Sequence, residues 1–150
     1  MIQRVQSLFL LLTTILAVLF LTGRIINFTE GSESAMSIDF SGIERMSENI
    51  KDLPLLSFLL VIIPLFSFLL LFLFKNRRLQ IKMTLLLILL IIVQVGVIAY
   101  YSYYIINNFN VEVDTVIKLI IPFFELLLSF LAYRSIKKDE DLVRSYDRLR

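Results

Sequence analysis

Four long apolar blocks alternate with polar segments along the chain. The blocks run from Val5 to Gly23, from Leu53 to Phe74, from Met83 to about Tyr104 and from about Val116 to Tyr133. Each is 18 to 22 residues long. At about 1.5 Å per helical residue, such a segment crosses a hydrocarbon core of about 30 Å. The pattern predicts an all-α membrane protein in which residues 1–150 form one membrane domain with four spans.

The polar segments between the blocks set the arrangement of the spans. They are residues 24–52, 75–82 and 105–115, and a tail follows at residues 134–150. Spans joined by short connections usually lie antiparallel to their neighbours. We therefore expect an antiparallel bundle of four transmembrane helices.

The first connection is too long for a simple turn. Residues 29–34 have the composition of a loop, and residues 36–41 then alternate apolar with polar, which is typical of a strand. Residues 41–44 (Ser-Gly-Ile-Glu) match a capping box, and the apolar residues 43, 46 and 50 follow at helical spacing. Because Val111 and Val113 also alternate with polar residues, the two extended segments either pair as a small β cap or stay as flexible loops.

Positive charge is concentrated on one side of the predicted bundle. Arg4, the 75–82 connection and the 134–150 tail together carry eleven Lys and Arg, whereas the opposite side carries four. Cytoplasmic loops are enriched in Lys and Arg. Both termini are therefore expected inside, with residues 24–52 and 105–115 outside.

Glu125 stands near the middle of the fourth block. An acid at the centre of a span costs at least about 2.5 kcal/mol on insertion scales, and such residues usually face the bundle interior. The carboxyl group either ionises as part of a function or forms a structural hydrogen bond between helices. Gln94, at a similar depth in the third block, is the expected partner.

Lys118 lies about one turn into the fourth block. Its aliphatic chain favours snorkelling towards the outer headgroups. An ion pair with Glu125 is the alternative, but seven residues separate the two by about 10 Å along a helix.

The C-terminal tail has the pattern of an amphipathic helix. Acidic and basic residues alternate at i,i+4 spacing, and a narrow apolar stripe is formed by Leu142, Val143, Tyr146 and Leu149. Such a helix either lies on the inner membrane surface or docks a protein partner through residues 137–150. The interleaved acids Asp139, Glu140 and Asp141 argue against a dedicated anionic-lipid anchor, which usually has an uninterrupted basic cluster.

Composition narrows the chemistry. Apolar residues make up 58% of the chain, and neither cysteine nor histidine is present. Thiolate chemistry and the commonest metal ligand and general base are therefore missing. Because no nucleophile triad, phosphate-binding loop, metal set or nucleic-acid module is recognisable, we expect no enzyme, no cofactor, no metal and no nucleic-acid partner.

The two ends of the chain carry a family resemblance. The sequence MIQRVQS at residues 1–7 and the sequence AYRSIKKDEDLVRSYDRLR at residues 132–150 resemble a Bacteroidetes family of four-span membrane proteins, catalogued as domain of unknown function 4293. The resemblance extends over the whole chain. It implies a bacterial inner (cytoplasmic) membrane, and it implies no activity.

The sequence leaves several functions open. A small scaffold or accessory subunit that docks a partner through its tail fits the lack of catalytic groups. A transporter or proton-coupled element would use Glu125. An enzyme acting on membrane lipid has the least support, because one buried acid without a base or metal is a poor catalytic site.

Overall fold

Four helices make up most of the protein. The computed structural model describes residues 3–30, 33–45, 48–109, 111–115 and 117–148. Within this part the helices are α1 (Gln3–Leu21), α2 (Pro54–Phe72), α3 (Arg77–Phe109) and α4 (Ile120–Arg148). The strands are β1 (Ile26–Glu30), β2 (Glu33–Ile38), β3 (Gly42–Arg45), β4 (Glu48–Asp52) and β5 (Glu112–Thr115). Short 3₁₀ turns, Leu73–Lys75 and Ile117–Leu119, follow α2 and precede α4.

The helices form a closed ring. Each packs against the next one in sequence, and α4 returns to pack against α1. Aliphatic side chains fill the centre, among them Leu10, Leu59, Ile63, Leu87 and Ile91. The protein is therefore mostly helical, as predicted, and its four helices pack around a shared apolar centre.

The outer surface of the ring is apolar. Large side chains on every helix point away from the bundle, such as Leu8 (54% exposed), Phe58 (60%), Leu89 (55%) and Phe123 (63%). Contiguous apolar surface of this extent belongs in lipid rather than in water. Within the described residues, three helical stretches are long and apolar enough to cross a membrane: Pro54–Phe72, Arg77–Phe109 and Ile117–Val143. The apolar stretch Val5–Leu21 of α1 is shorter. The chain therefore has the helices of a membrane protein.

A five-stranded antiparallel sheet covers one end of the ring. Its strand order is β4-β3-β2-β1-β5. Alternate residues of its inner strands are buried against the helix ends: Ile26, Phe28, Met36, Ile38 and Ile43. The β cap is thus present, but β5 pairs with β1 and not with the 36–41 segment, so the expected direct pairing of the two extended segments is wrong.

The predicted helix after residue 41 is also wrong, because residues 42–45 and 48–52 are strands β3 and β4. Gly42 has a φ of +145°, which no helix adopts, and its backbone approaches Lys51 so closely that a Cβ would lie 2.2 Å from the Lys51 carbonyl oxygen. The turn is organised by Asp39, whose carboxylate accepts hydrogen bonds from the Ser41 and Gly42 amides at 2.9 and 3.1 Å.

The loop predicted for residues 29–34 is likewise wrong, since its described residues belong to β1 and β2. Gly31, Ser32 and Met46 lie outside the described residues.

Candidate functional site: a buried polar cluster in the helix bundle

Most polar side chains inside the bundle have hydrogen bonds. The hydroxyl groups of Thr13 and Thr84 donate to carbonyl oxygens one turn earlier in their own helices, at 2.9 and 2.8 Å. The Ser67 hydroxyl donates across to the Leu10 carbonyl of α1 at 3.1 Å and lies 2.9 Å from the Thr14 hydroxyl. Buried polar groups are normally paired in this way, because an unpaired one costs about 1–3 kcal/mol.

Glu125 departs from that rule. Its side chain is 0% exposed, and neither carboxyl oxygen has a hydrogen-bond partner among the described residues. Burying an isolated carboxylate in an apolar medium costs far more than burying a neutral carboxyl. The group at this position therefore either holds a proton or requires a donor or cation that reaches it.

Among the described residues, four other side chains also have a buried atom without a partner: Asn27, Gln94, Ser129 and Asp139, the last of which is paired through its other oxygen. The Oε1 atom of Gln94 and the hydroxyl group of Ser129 also have no partner among the described residues, and their side chains are 1% and 0% exposed. Ser129 follows Glu125 by four residues, so both occupy the same face of α4. We call Gln94, Glu125 and Ser129 the polar cluster.

The level of Gln94 along the helix axis follows from a contact at the end of the helices opposite the sheet. Arg78 and Glu140 form an ion pair of 3.0 Å between α3 and α4. Gln94 lies 16 residues beyond Arg78, and Glu125 lies 15 residues before Glu140. Since the helices are antiparallel, the two residues differ in height by about 1.5 Å.

The expected Gln94–Glu125 hydrogen bond is not formed, because neither carboxyl oxygen of Glu125 has a partner within the described ranges. Similar height is not sufficient for a hydrogen bond, which also needs both side chains to point at each other. Ser129 was missed by sequence reasoning. Its i,i+4 spacing from Glu125 was the available signal.

Lys118 is directed away from the polar cluster. Its ammonium group donates a hydrogen bond to the Thr22 carbonyl at the end of α1. This contact leaves the carboxyl group of Glu125 without the cation that the ion-pair alternative required.

The beginning of the tail belongs to the bundle. Asp139 is 5% exposed and accepts a hydrogen bond from the Gln6 amide, which also donates to the Ser135 carbonyl at 3.3 Å. Arg77 donates to the Asp139 carbonyl at 3.3 Å. Helix α4 therefore runs without a break from the apolar block into the tail. The first turns of the tail are hydrogen-bonded to α1 and α3.

Three of the predicted docking residues, Leu142, Val143 and Tyr146, follow these contacts along α4. Leu142 and Val143 are 41% and 43% exposed. Tyr146 is within α4, and Leu149 lies outside the described residues.

Comparison with known proteins identifies the chain only at the level of a family. No curated protein and no solved structure matches it. Residues 2–149, nearly the whole chain, match the family described as Domain of unknown function (DUF4293). The chain therefore belongs to that family of proteins, as the sequences at its two ends predict.

Proposed function

We propose that this protein is a proton-coupled element of the membrane, in which Glu125 takes up and releases a proton inside the bundle. The observation that carries the proposal is the unpaired, fully buried carboxyl group of Glu125. Intramembrane acids that face a bundle interior commonly form proton or ion pathways. A residue kept only to tie helices together would be expected to have its hydrogen bond.

The neighbours of Glu125 suit a proton better than a metal ion. Hard metal cations take six or more oxygen ligands at about 2.0–2.6 Å. The polar cluster offers one carboxyl, one amide oxygen and one hydroxyl. The Gln94 amide and the Ser129 hydroxyl carry N–H and O–H donors, which are the groups that an ionised Glu125 needs in a buried site.

This function requires that all four helices cross the membrane. The packing of α1 between α2 and α4 supports a fourth span, because α1 shares hydrogen bonds with both neighbours. Its outward face is also apolar, with Leu8 and Leu19 54% and 52% exposed. We propose a bacterial inner membrane, which the family resemblance implies, and we propose that both termini lie inside because of the asymmetry of Lys and Arg.

Single-cysteine labelling tests this topology, and the natural chain contains no cysteine to interfere. In sealed inverted vesicles an impermeant maleimide should label Ile2→Cys and Asp141→Cys but not Arg24→Cys or Glu112→Cys. Labelling of Ile2→Cys and Arg24→Cys from the same side would exclude the first span.

Infrared difference spectroscopy tests proton exchange at Glu125. The full chain in liposomes is titrated between about pH 4 and pH 10, and its spectra are compared with those of Glu125→Gln, which keeps the size and polarity but cannot ionise. A protonated-carboxyl band that is lost with rising pH in the natural protein and is missing in the variant supports the proposal. A Glu125 band that does not change over this range would identify a structural residue.

Docking of a partner through the tail is the second candidate. It is favoured by the exposure of Leu142 and Val143 on a helix that extends past the bundle. Truncation after Glu140 tests it more cleanly than truncation after Ile136, because Asp139 and Glu140 contact α1 and α3. Loss of a cross-linked membrane partner from this variant, and from Leu142→Asp with Val143→Asp, would support docking. An unchanged set of partners would oppose it.

A further inference from the structure

An open groove lies on the outward surface of α4, where the span meets the tail. It has a volume of about 490 Å³ and is lined by Arg134, Lys137, Lys138, Asp141 and Leu142. The Lys137 ammonium group also lies 6.0 Å from the centre of the Tyr133 ring, a cation–π distance. Three cations therefore share one exposed surface.

The structure changes the charge balance that the tail sequence indicates. Asp139 faces the bundle and is hydrogen-bonded to Gln6, and Glu140 is paired with Arg78. These two acids point away from the groove, which leaves Asp141 as the acid among its lining residues. The sequence-based argument against a basic cluster is therefore weakened, because two of the three neighbouring acids contact other helices and the groove keeps three cations against one acid.

The position of the groove fits the boundary of a bilayer. Arg134 lies nine residues below Glu125, about 14 Å along the helix, which is close to half of a hydrocarbon core of about 30 Å. Directly above Arg134, at steps of three or four residues, the same side of α4 exposes Phe130, Leu127 and Phe123 by 55%, 44% and 63%. An apolar stripe thus leads into a basic groove.

We propose that this groove binds the headgroup of an anionic phospholipid. Arg134, Lys137 and Lys138 contact the phosphate, and an acyl chain lies along the stripe of Phe123, Leu127 and Phe130. An acidic protein segment would match the cations alone, whereas a phospholipid matches both the cations and the adjoining apolar stripe. The inference does not depend on proton exchange at Glu125.

Native mass spectrometry of the full chain tests the proposal. The protein is released from micelles that contain equal amounts of phosphatidylglycerol and phosphatidylcholine with the same acyl chains. The natural protein should retain phosphatidylglycerol in preference to phosphatidylcholine. In the double variant Lys137→Gln with Lys138→Gln, the ratio of the two retained lipids should fall by about fivefold for each lysine removed. The matched control is Arg24→Gln with Lys82→Gln, which removes two exposed cations elsewhere and should keep the preference.

Several outcomes would overturn the proposal. Equal retention of the two lipids, or the same loss in both double variants, would mean that charge acts diffusely and not through the groove. Loss of a bound protein with lipid retention unchanged would identify a protein-docking surface. If the double variant fails to fold, Lys138→Gln alone and a salt titration of the natural protein replace it, and phosphatidylglycerol retention that is insensitive to both would reject the site.

Discussion

The turn between β2 and β3 provides a quantitative test of the cap, through replacement of Gly42 by alanine. Gly42 has a φ of +145°, and an added Cβ would lie 2.2 Å from the Lys51 carbonyl oxygen. Backbone strain of this kind costs about 1–3 kcal/mol, and forced displacement of packed atoms costs about another 1–3 kcal/mol. Gly42→Ala should therefore destabilise the sheet by about 2–6 kcal/mol.

Two other glycines provide matched controls. An added Cβ at Gly96 in α3 meets nothing within 4 Å, so Gly96→Ala should be neutral or stabilise the helix by about 0.5–1 kcal/mol. Gly23 has a φ of +70°, but its nearest contact, the Lys118 ammonium group, is 3.5 Å away. Gly23→Ala should cost about 1–2 kcal/mol, for the left-handed conformation alone.

Hydrogen exchange followed by mass spectrometry measures these effects locally. In Gly42→Ala the amides of β3 and β4 should exchange at least about 30-fold faster, which corresponds to about 2 kcal/mol, while the amides of α3 stay protected. Gly96→Ala should show no acceleration in either region. The reasoning about the Lys51 contact would be refuted if the sheet amides of Gly42→Ala exchanged as slowly as those of the natural protein. It would also be refuted if Gly42→Ala and Gly96→Ala accelerated exchange in the sheet equally.

Three further results are expected. Burial raises the pKa of Asp39, but the stronger combined effect of hydrogen bonds from Ser41 and Gly42 leaves that pKa below its usual 3.8. Because the folded pKa is depressed, the ionised Asp39 stabilises the sheet fully above pH 3.8, and this stabilisation is lost as pH falls through the folded pKa. The sheet amides should therefore lose protection from hydrogen exchange in acid. Asp39→Asn should not show this acid-dependent loss. Ser67→Ala should destabilise the protein by about 0.5–1.5 kcal/mol in thermal unfolding, because it removes the hydrogen bond from α2 to the Leu10 carbonyl, which still accepts from the Thr14 hydroxyl. Arg78→Gln should change thermal stability by less than about 1 kcal/mol, since its side chain is 80% exposed, and a larger loss would mean that the ion pair to Glu140 fixes the helix register.

The helices are well predicted from the sequence because a long apolar segment in lipid is stable only as a helix. A chain segment in hydrocarbon must satisfy its backbone hydrogen bonds internally, so α2 and α3 follow directly from Leu53–Phe74 and Met83–Tyr104. Helix α3 nevertheless extends to Arg77 and Phe109, beyond the apolar block at both ends. Its ends are set by the neighbouring turn and sheet, and hydrophobicity does not report those contacts.

The five-stranded sheet was harder to predict, since local sequence patterns conflict there. Ser41 to Glu44 has the composition of a helix start, yet Ile43 pairs with Ile38 of β2 and is buried against the helix ends. That packing is a tertiary contact, and it outweighs a local capping preference of about 1 kcal/mol. The polar cluster was also only partly predictable. The sequence identified Glu125 and Gln94, but the direction of each side chain depends on how the neighbouring helices pack.

The continuity of α4 has a mechanical consequence. Its 29 residues form a rod of about 43 Å that follows edge strand β5 at one end and carries the basic groove and Leu142 in its other half. A tilt of about 5° about the midpoint of such a rod displaces its ends by about 2 Å in opposite directions. A strand added to the edge of β5 would therefore be transmitted along α4 as movement of the end that carries Leu142, with Arg134 close to the fulcrum.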